Sequence, residues 1–165
     1  MYGRYAAAPN EPAAFTFPIT PADSRLPYVA RGLYLGIGGT LEVTGGNDPD
    51  AVGILPAAVS ASADTITIPL HGFAANDRVM VATTGGLPAG LSASTAYYVI
   101  VVDVNTIKLS ATSGGSAIDL TTAGTGTHSV FKSTTFNNAP AGYNPLCVKR
   151  VAAATTASQI VGLAS

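Results

Sequence analysis

"LPYVARGLYLGIGGTLEV", residues 26–43, decides the fold class, because its paired glycines can belong either to a bend between strands or to a phosphate-binding loop. A phosphate loop needs a helix N-terminus after the glycines, whose free N–H groups and dipole attract the anion. Residues 40–44, TLEVT, favour a strand instead, and no Lys-Ser or Lys-Thr pair completes a Walker pattern. Residues 33–37 and 40–44 therefore predict a β-hairpin, in which Gly38 and Gly39 supply the positive φ of a tight turn.

Short strand patterns recur along the rest of the chain, whereas helical periodicity is nearly absent. The turn Asp103-Val104-Asn105 predicts a second hairpin between residues 97–102 and 106–110. Many short strands separated by turns predict an all-β, antiparallel sandwich or barrel. Further strands are predicted at residues 65–69, 78–82, 117–120, 128–132, 146–151 and 159–163.

The composition limits the classes of molecule that this chain can bind. Only 10% of the 165 residues are charged and the net charge is −1, which argues against direct binding of nucleic acid. No apolar run approaches the roughly 18 residues of a membrane span, and residues 1–12 lack the pattern of a signal peptide. A chain this apolar and this weakly charged would be poorly soluble as a free monomer, so we expect other protein to cover much of its surface. The lone Cys147 is interpreted as a buried small hydrophobe in a reducing compartment.

Residues with catalytic or metal-binding chemistry form no recognisable constellation. His71 and His128 have no cysteine or carboxylate at ligand spacing, and no Gly-x-Ser-x-Gly elbow occurs. Residues 47–50, NDPD, lack the remaining ligands of a calcium loop and predict a solvated turn. We therefore expect a protein that is not an enzyme and has no metal or cofactor.

Two terminal segments carry a family resemblance. Residues 15–44 contain LPYVARGLYLG and the GG turn, and residues 130–163 contain APAGYNPLCVKRV followed by ATTASQIVGL. In this order they resemble the start and the finish of small head-spike base proteins of gene transfer agents and tailed phages. The resemblance implies a β-rich platform on the capsid, usually at a vertex, that anchors a projecting fibre.

The middle of the chain departs from that pattern. Residues 53–131 resemble an inserted small β-barrel module of the kind found in phage tail, baseplate and fibre proteins. The predicted domains are thus an N-terminal arm (1–14), a discontinuous base (15–52 and 132–165) and the inserted barrel (53–131). The role of the insertion stays open between decoration, a fibre socket and a receptor-binding head.

The resemblance also selects candidate site residues. Arg31, Tyr143, Lys149 and Arg150 lie in the segments that carry it and are candidate protein-interface residues. Tyr97 and Tyr98 fall on opposite faces of one strand, so one of them is a candidate exposed aromatic of the insertion.

These features predict a structural virion protein on the outer capsid surface, made in the cytoplasm of a bacterial host. The expected partners are a major capsid protein, a fibre or spike protein, and further copies of the chain, with a pentamer favoured over a trimer. The alternative is a receptor- or glycan-binding module of a phage fibre or tail.

Overall fold

A computed structural model describes residues 15–164, and the predicted arm 1–14 lies outside them. The described chain is all-β and every strand pair is antiparallel. Its one helical element is a 3₁₀ turn at Pro56–Ala58, and the described residues contain no helix able to cross a bilayer. The strands are β1 (Phe15–Ile19), β2 (Gly32–Ile37), β3 (Gly39–Gly45), β4 (Asp50–Ile54), β5 (Val59–Ser60), β6 (Thr65–Thr67), β7 (Arg78–Thr83), β8 (Ala96–Asp103), β9 (Thr106–Ser110), β10 (His128–Lys132), β11 (Thr134–Ala139), β12 (Gly142–Asn144), β13 (Val148–Val151) and β14 (Ser158–Ala164).

Both ends of the described chain build a two-layer sandwich, which we call the platform (residues 15–45 and 134–164). One layer is a four-stranded sheet in the order β1-β14-β2-β12, and the other is a three-stranded sheet in the order β11-β3-β13. Leu33 and Leu35 from the first layer pack with Leu41 and Val43 from the second in one core cluster. Alternate residues of β2 and β3 are apolar and buried, which is the pattern of sheets that share a core on one side.

The glycine pair of the opening stretch joins the two layers, so the predicted hairpin is wrong. β2 pairs with β12 and β14, whereas β3 pairs with β11 and β13. Neither Gly38 nor Gly39 has a positive φ. Both are needed for close approach instead, since a Cβ on Gly38 would lie 2.6 Å from the Ala139 carbonyl oxygen and one on Gly39 would lie 2.9 Å from the Ala157 nitrogen.

The middle of the chain forms a second unit, which we call the module (residues 50–132). It is a seven-stranded sheet in the order β4-β10-β7-β8-β9-β6-β5 with its own core cluster, which includes Val79, Val99 and Ile107. The predicted hairpin at Asp103-Val104-Asn105 is confirmed as β8 and β9, and the Asn105 N–H donates to the Asp103 carboxylate at 2.7 Å.

The module sheet is rolled but open. β4 and β5 are its two edges, yet only five residue steps, at most about 18 Å of chain, separate Ile54 from Val59. A flat sheet of this size would hold its edges about 29 Å apart, so the sheet must curl around its core. No pairing joins β4 to β5 in the described chain, so the hydrogen bonds do not close the predicted barrel. The predicted domain borders fall inside β4 and β10, and the division into domains stays a prediction.

Candidate interaction surface

The outward side of the four-stranded sheet is mostly apolar and carries no charge, with Thr16 and Gln159 as its polar residues. Leu33 and Leu35 of β2 point into the core, so Tyr34 between them points outward and is 51% exposed. One row of directly paired residues crosses all four strands through it, from Pro18 to Val161, Tyr34 and Tyr143. We call this outward side of the sheet the tyrosine face.

The tyrosine face lacks the polar pattern of a sheet that meets water. A solvated antiparallel sheet alternates apolar residues inside with polar residues outside. None of the residues in β1, β2, β12 and β14 is charged. Exposed apolar patches of this kind mark sites of contact with other molecules, and tyrosine is enriched at such contacts.

Tyr143 is held in place by the strand beneath it. The residue is 61% exposed, and its ring lies over Gly32 of the adjacent strand. A Cβ on Gly32 would come within 2.6 Å of Tyr143 Cε2. Because Gly32 has no side chain, the Tyr143 ring can pack directly against the backbone of the sheet. The packing restricts the rotamers of Tyr143 before binding, so the side chain loses less conformational entropy when a partner binds.

An aromatic cluster stands at the β1 end of the same sheet. The ring centroids of Phe15 and Tyr28 are 4.8 Å apart, and those of Phe17 and Tyr28 are 5.8 Å apart, both in edge-to-face geometry. Edge-to-face pairs are favourable arrangements of aromatic rings. Tyr28 remains half exposed and adds to the apolar surface of the platform.

The sequence prediction selected Tyr143 but missed Tyr34. The signal for Tyr34 was present in the alternation of LYLG, which puts Leu33 and Leu35 on one face and the tyrosine on the other. Arg31 directly precedes β2, is half buried, and donates its backbone N–H to the Leu163 carbonyl at 2.7 Å. Lys149 is also half buried, and its Nζ donates to the Asp48 carbonyl oxygen.

Arg150, a candidate protein-interface residue, does not lie on the surface of the folded chain. It is 2% exposed and its Nη2 lies 2.8 Å from Asp50 Oδ1. Its Nη1 donates to the Asp23 carbonyl oxygen, and its guanidinium carbon lies 4.3 Å from the centre of the Phe131 ring. These contacts join the platform to the module inside the folded chain.

Asp50 is likewise not the residue of a solvated turn. Its carboxylate is fully buried and also accepts from Arg25, with Arg25 Nε 2.5 Å from Oδ2. The prediction failed because both arginines are distant in sequence and only the fold brings them to this carboxylate. A buried charge persists when it is paired and hydrogen-bonded, and Asp50 meets both conditions.

Further polar contacts line the junction between platform and module. Arg78 of the module donates to the Glu42 carboxylate of the platform and to Ser133 Oγ. Thr44 Oγ1 donates to the Lys132 carbonyl at 2.8 Å. Glu42 and Thr44 alternate on β3 with core residues, so the module lies on the outward side of the three-stranded layer. The tyrosine face therefore points away from the module.

Lys132 allows a test by pH. The hydrogen bond to Asp77, with Nζ 2.8 Å from Oδ1, raises the pKa of Lys132, while partial burial opposes that rise. A raised pKa in the folded state adds stability that is complete below about pH 10.4, the value for an unfolded lysine, and is lost as pH rises through the higher folded pKa. We expect Lys132→Met to lower the free energy of unfolding by about 0.2–1 kcal/mol at pH 8, because the lysine is one-third exposed.

Urea unfolding of both proteins between pH 8 and 11.5 measures this difference. It should shrink toward zero at the alkaline end, where wild-type Lys132 also becomes neutral. A difference that stays constant over the whole range would contradict the assignment.

Tyr97 and Tyr98 of the module lie on opposite faces of β8, as the alternation of side chains in a strand requires. Tyr97 is buried in the module core, and its hydroxyl accepts the Ser92 N–H at 2.7 Å, so it is not an exposed aromatic. Tyr98 is half buried on the other side of β8. Of the two residues named for the receptor- or glycan-binding alternative, only Tyr98 reaches the surface.

Both histidines are held by hydrogen bonds to other residues of the module. His71 Nδ1 accepts the Phe73 N–H at 3.0 Å, which leaves Nε2 to donate to the Asp103 carbonyl at 2.9 Å. His128 is buried and lies 2.9 Å from Thr83 Oγ1. Within residues 15–164, no group of three or more His, Cys, Asp or Glu could hold a metal ion. Cys147 is exposed, so its predicted burial is wrong.

The chain matches no family model, no curated protein and no solved structure.

Proposed function

We propose that the chain is a structural virion protein, a head-spike or fibre base that attaches to the outer surface of a capsid and supports a projecting part. The observation that carries the proposal is the tyrosine face, a mostly apolar and uncharged sheet surface on the side of the platform opposite the module. The two opposite sides suit a base that binds the capsid through the tyrosine face and presents the module on the other side. The resemblance of both terminal segments to head-spike base proteins supports the same proposal.

The size of the face favours binding through many copies. The four strands have 5, 6, 3 and 7 residues. At a mean of about five residues they present a surface of roughly 19 by 17 Å, about 320 Å². A stable protein–protein interface buries about 800 Å² on each partner, so one face alone is small. A symmetric ring multiplies the contacts, and its avidity compensates for the weak single contact. We propose a homo-oligomer, a pentamer at a vertex before a trimer, that contacts the major capsid protein and a fibre or spike protein.

The contact chemistry that we propose is apolar and aromatic and needs no reaction. Tyr34 and Tyr143 supply large rigid surfaces, and their hydroxyl groups can hydrogen-bond to a partner at the rim. Neighbouring copies in the ring and the capsid would together cover the tyrosine face. The module then projects outward and stays available for a fibre or for a surface outside the particle.

Mass spectrometry of purified particles from cells that encode the chain tests this function. We expect the protein to co-purify with the major capsid protein at a fixed ratio through successive density gradients. Abundant cytoplasmic proteins of the same cells serve as the control and should decline at each step. Loss of the chain along with those proteins would refute the proposal.

A further inference from the structure

The platform and the module have separate cores, and polar contacts join the two units at their junction. Their two core clusters share no residue. The chain crosses between them twice, at residues 46–49 and at Ser133. β3 pairs with β11 on one side of the crossings and β4 pairs with β10 on the other, so the two crossings lie side by side. Such a pair of short connections has the form of a hinge.

We propose that Arg150 and Asp50 form a latch that sets the angle between platform and module. When the latch opens, the module swings on the two crossings while both cores stay folded. The inference concerns the mechanics of the chain and holds whether or not the protein belongs to a virion.

Arg150 covers one buried part of the junction. Met80 and Phe131 are paired on neighbouring strands of the module and are fully buried, yet they belong to neither core cluster. The guanidinium of Arg150 stacks on the Phe131 ring from the platform side. A stacked and desolvated arginine contributes both apolar contact and cation–π attraction, and lysine does not reproduce this geometry.

Asp50 holds that guanidinium in place. Its Oδ1 accepts from Nη2 at 2.8 Å and from Nε at 3.2 Å, while its Oδ2 is bound by Arg25. Asp50 is the first residue of β4 in the module, and its carboxylate binds two cations of the platform, Arg25 and Arg150. Without its charge, Arg150 would be left buried without a counter-ion, and a buried cation in that position favours exposure to water.

An open cleft beside the latch provides room for movement. Its volume is about 510 Å³, and Arg150 lies among its lining residues. Ala22 and Ser24 line the cleft from the platform, whereas Val52 and Thr84 line it from the module. Because the two units are not in packed contact there, the module can tilt without disturbing either core.

Asp50→Asn is the variant that opens the latch, and distances between two spin labels measure the result. The labels are placed on Ala93→Cys in the module and Ala141→Cys in the platform, with Cys147→Ser as the background, because Ala93 and Ala141 are both exposed. We expect a narrow distance distribution in the wild type and one at least twice as broad in Asp50→Asn. Arg150→Met, which keeps an apolar side chain over Phe131 and removes the charge, should broaden it as well.

Asp77→Asn is the matched control. It also removes an aspartate from an ion pair, but Asp77 and its partner Lys132 both lie in the module. We expect the wild-type distribution in this variant. Amide chemical-shift dispersion in both units, measured by NMR, shows whether each core remains folded.

Three results would overturn the latch. The first is a distribution in Asp50→Asn as narrow as in the wild type, because another contact would then set the angle. The second is equal broadening in Asp77→Asn. The third is loss of chemical-shift dispersion in both cores of Asp50→Asn and of Arg150→Met, because the junction would then be part of one cooperative core.

Discussion

Replacing Arg150 by alanine will lower the free energy of unfolding by about 3–5 kcal/mol, the usual cost of removing one partner from a buried ion pair. The change leaves the Asp50 carboxylate buried with one cation instead of two. It also uncovers the Phe131 ring, which is fully buried in the wild type. Urea unfolding monitored by tyrosine fluorescence measures the loss, since the chain has seven tyrosines and no tryptophan.

Arg25→Ala is the control for this prediction. Arg25 binds the same carboxylate, but its side chain is 49% exposed. Exposed ion pairs contribute about 0.2–1 kcal/mol, so we expect a loss within that range. Equal losses in the two variants would show that burial of Arg150 does not matter for stability.

The second large effect concerns assembly. Tyr34→Asp should abolish self-association of the purified protein while the platform stays folded. An aspartate in the middle of the tyrosine face would be buried without a partner in any interface that forms there, and desolvation of a lone carboxylate costs far more than one apolar contact contributes. Size-exclusion chromatography with light scattering should show five or three copies for the wild type and a single 16.5 kDa chain for the variant.

Leu35→Ala separates assembly from folding, because Leu35 is the next residue in the same strand and faces the core. We expect it to lower the free energy of unfolding by about 2–5 kcal/mol, as large-to-small changes in a core do. Tyr34→Asp should change that free energy by less than about 0.5 kcal/mol in the isolated chain. An oligomer that persists in Tyr34→Asp would contradict the assignment of the tyrosine face.

Local patterns in the sequence predicted most strands well. The segment 128–132 was predicted as a strand and is β10 with the predicted bounds. The Asp103-Val104-Asn105 turn was recognisable because an aspartate side chain can bond a backbone N–H two residues on, as it does here. Strands β1, β4, β5, β11 and β12 were not predicted. The strand predicted at residues 117–120 is wrong, because only an isolated bridge at Ala117 forms there.

Features that depend on distant partners could not be predicted. Gly38 and Gly39 were interpreted as a tight turn, since nothing local reveals that β2 and β3 belong to different layers. The burial of Asp50 depends on Arg150, which lies 100 residues further along the chain. Charged residues are exposed by default, so local reasoning placed both of them at the surface.

Electron cryomicroscopy of particles that carry a labelled copy of the chain tests the central claim most directly. A gold-binding tag at Ala93, an exposed position in the module, marks the side of the protein that should face away from the shell. We expect tag density outside the capsid at symmetry-related positions, at the vertices before any other place, with the platform against the shell. Particles that lack tag density while the tagged protein is present in the cells would contradict it.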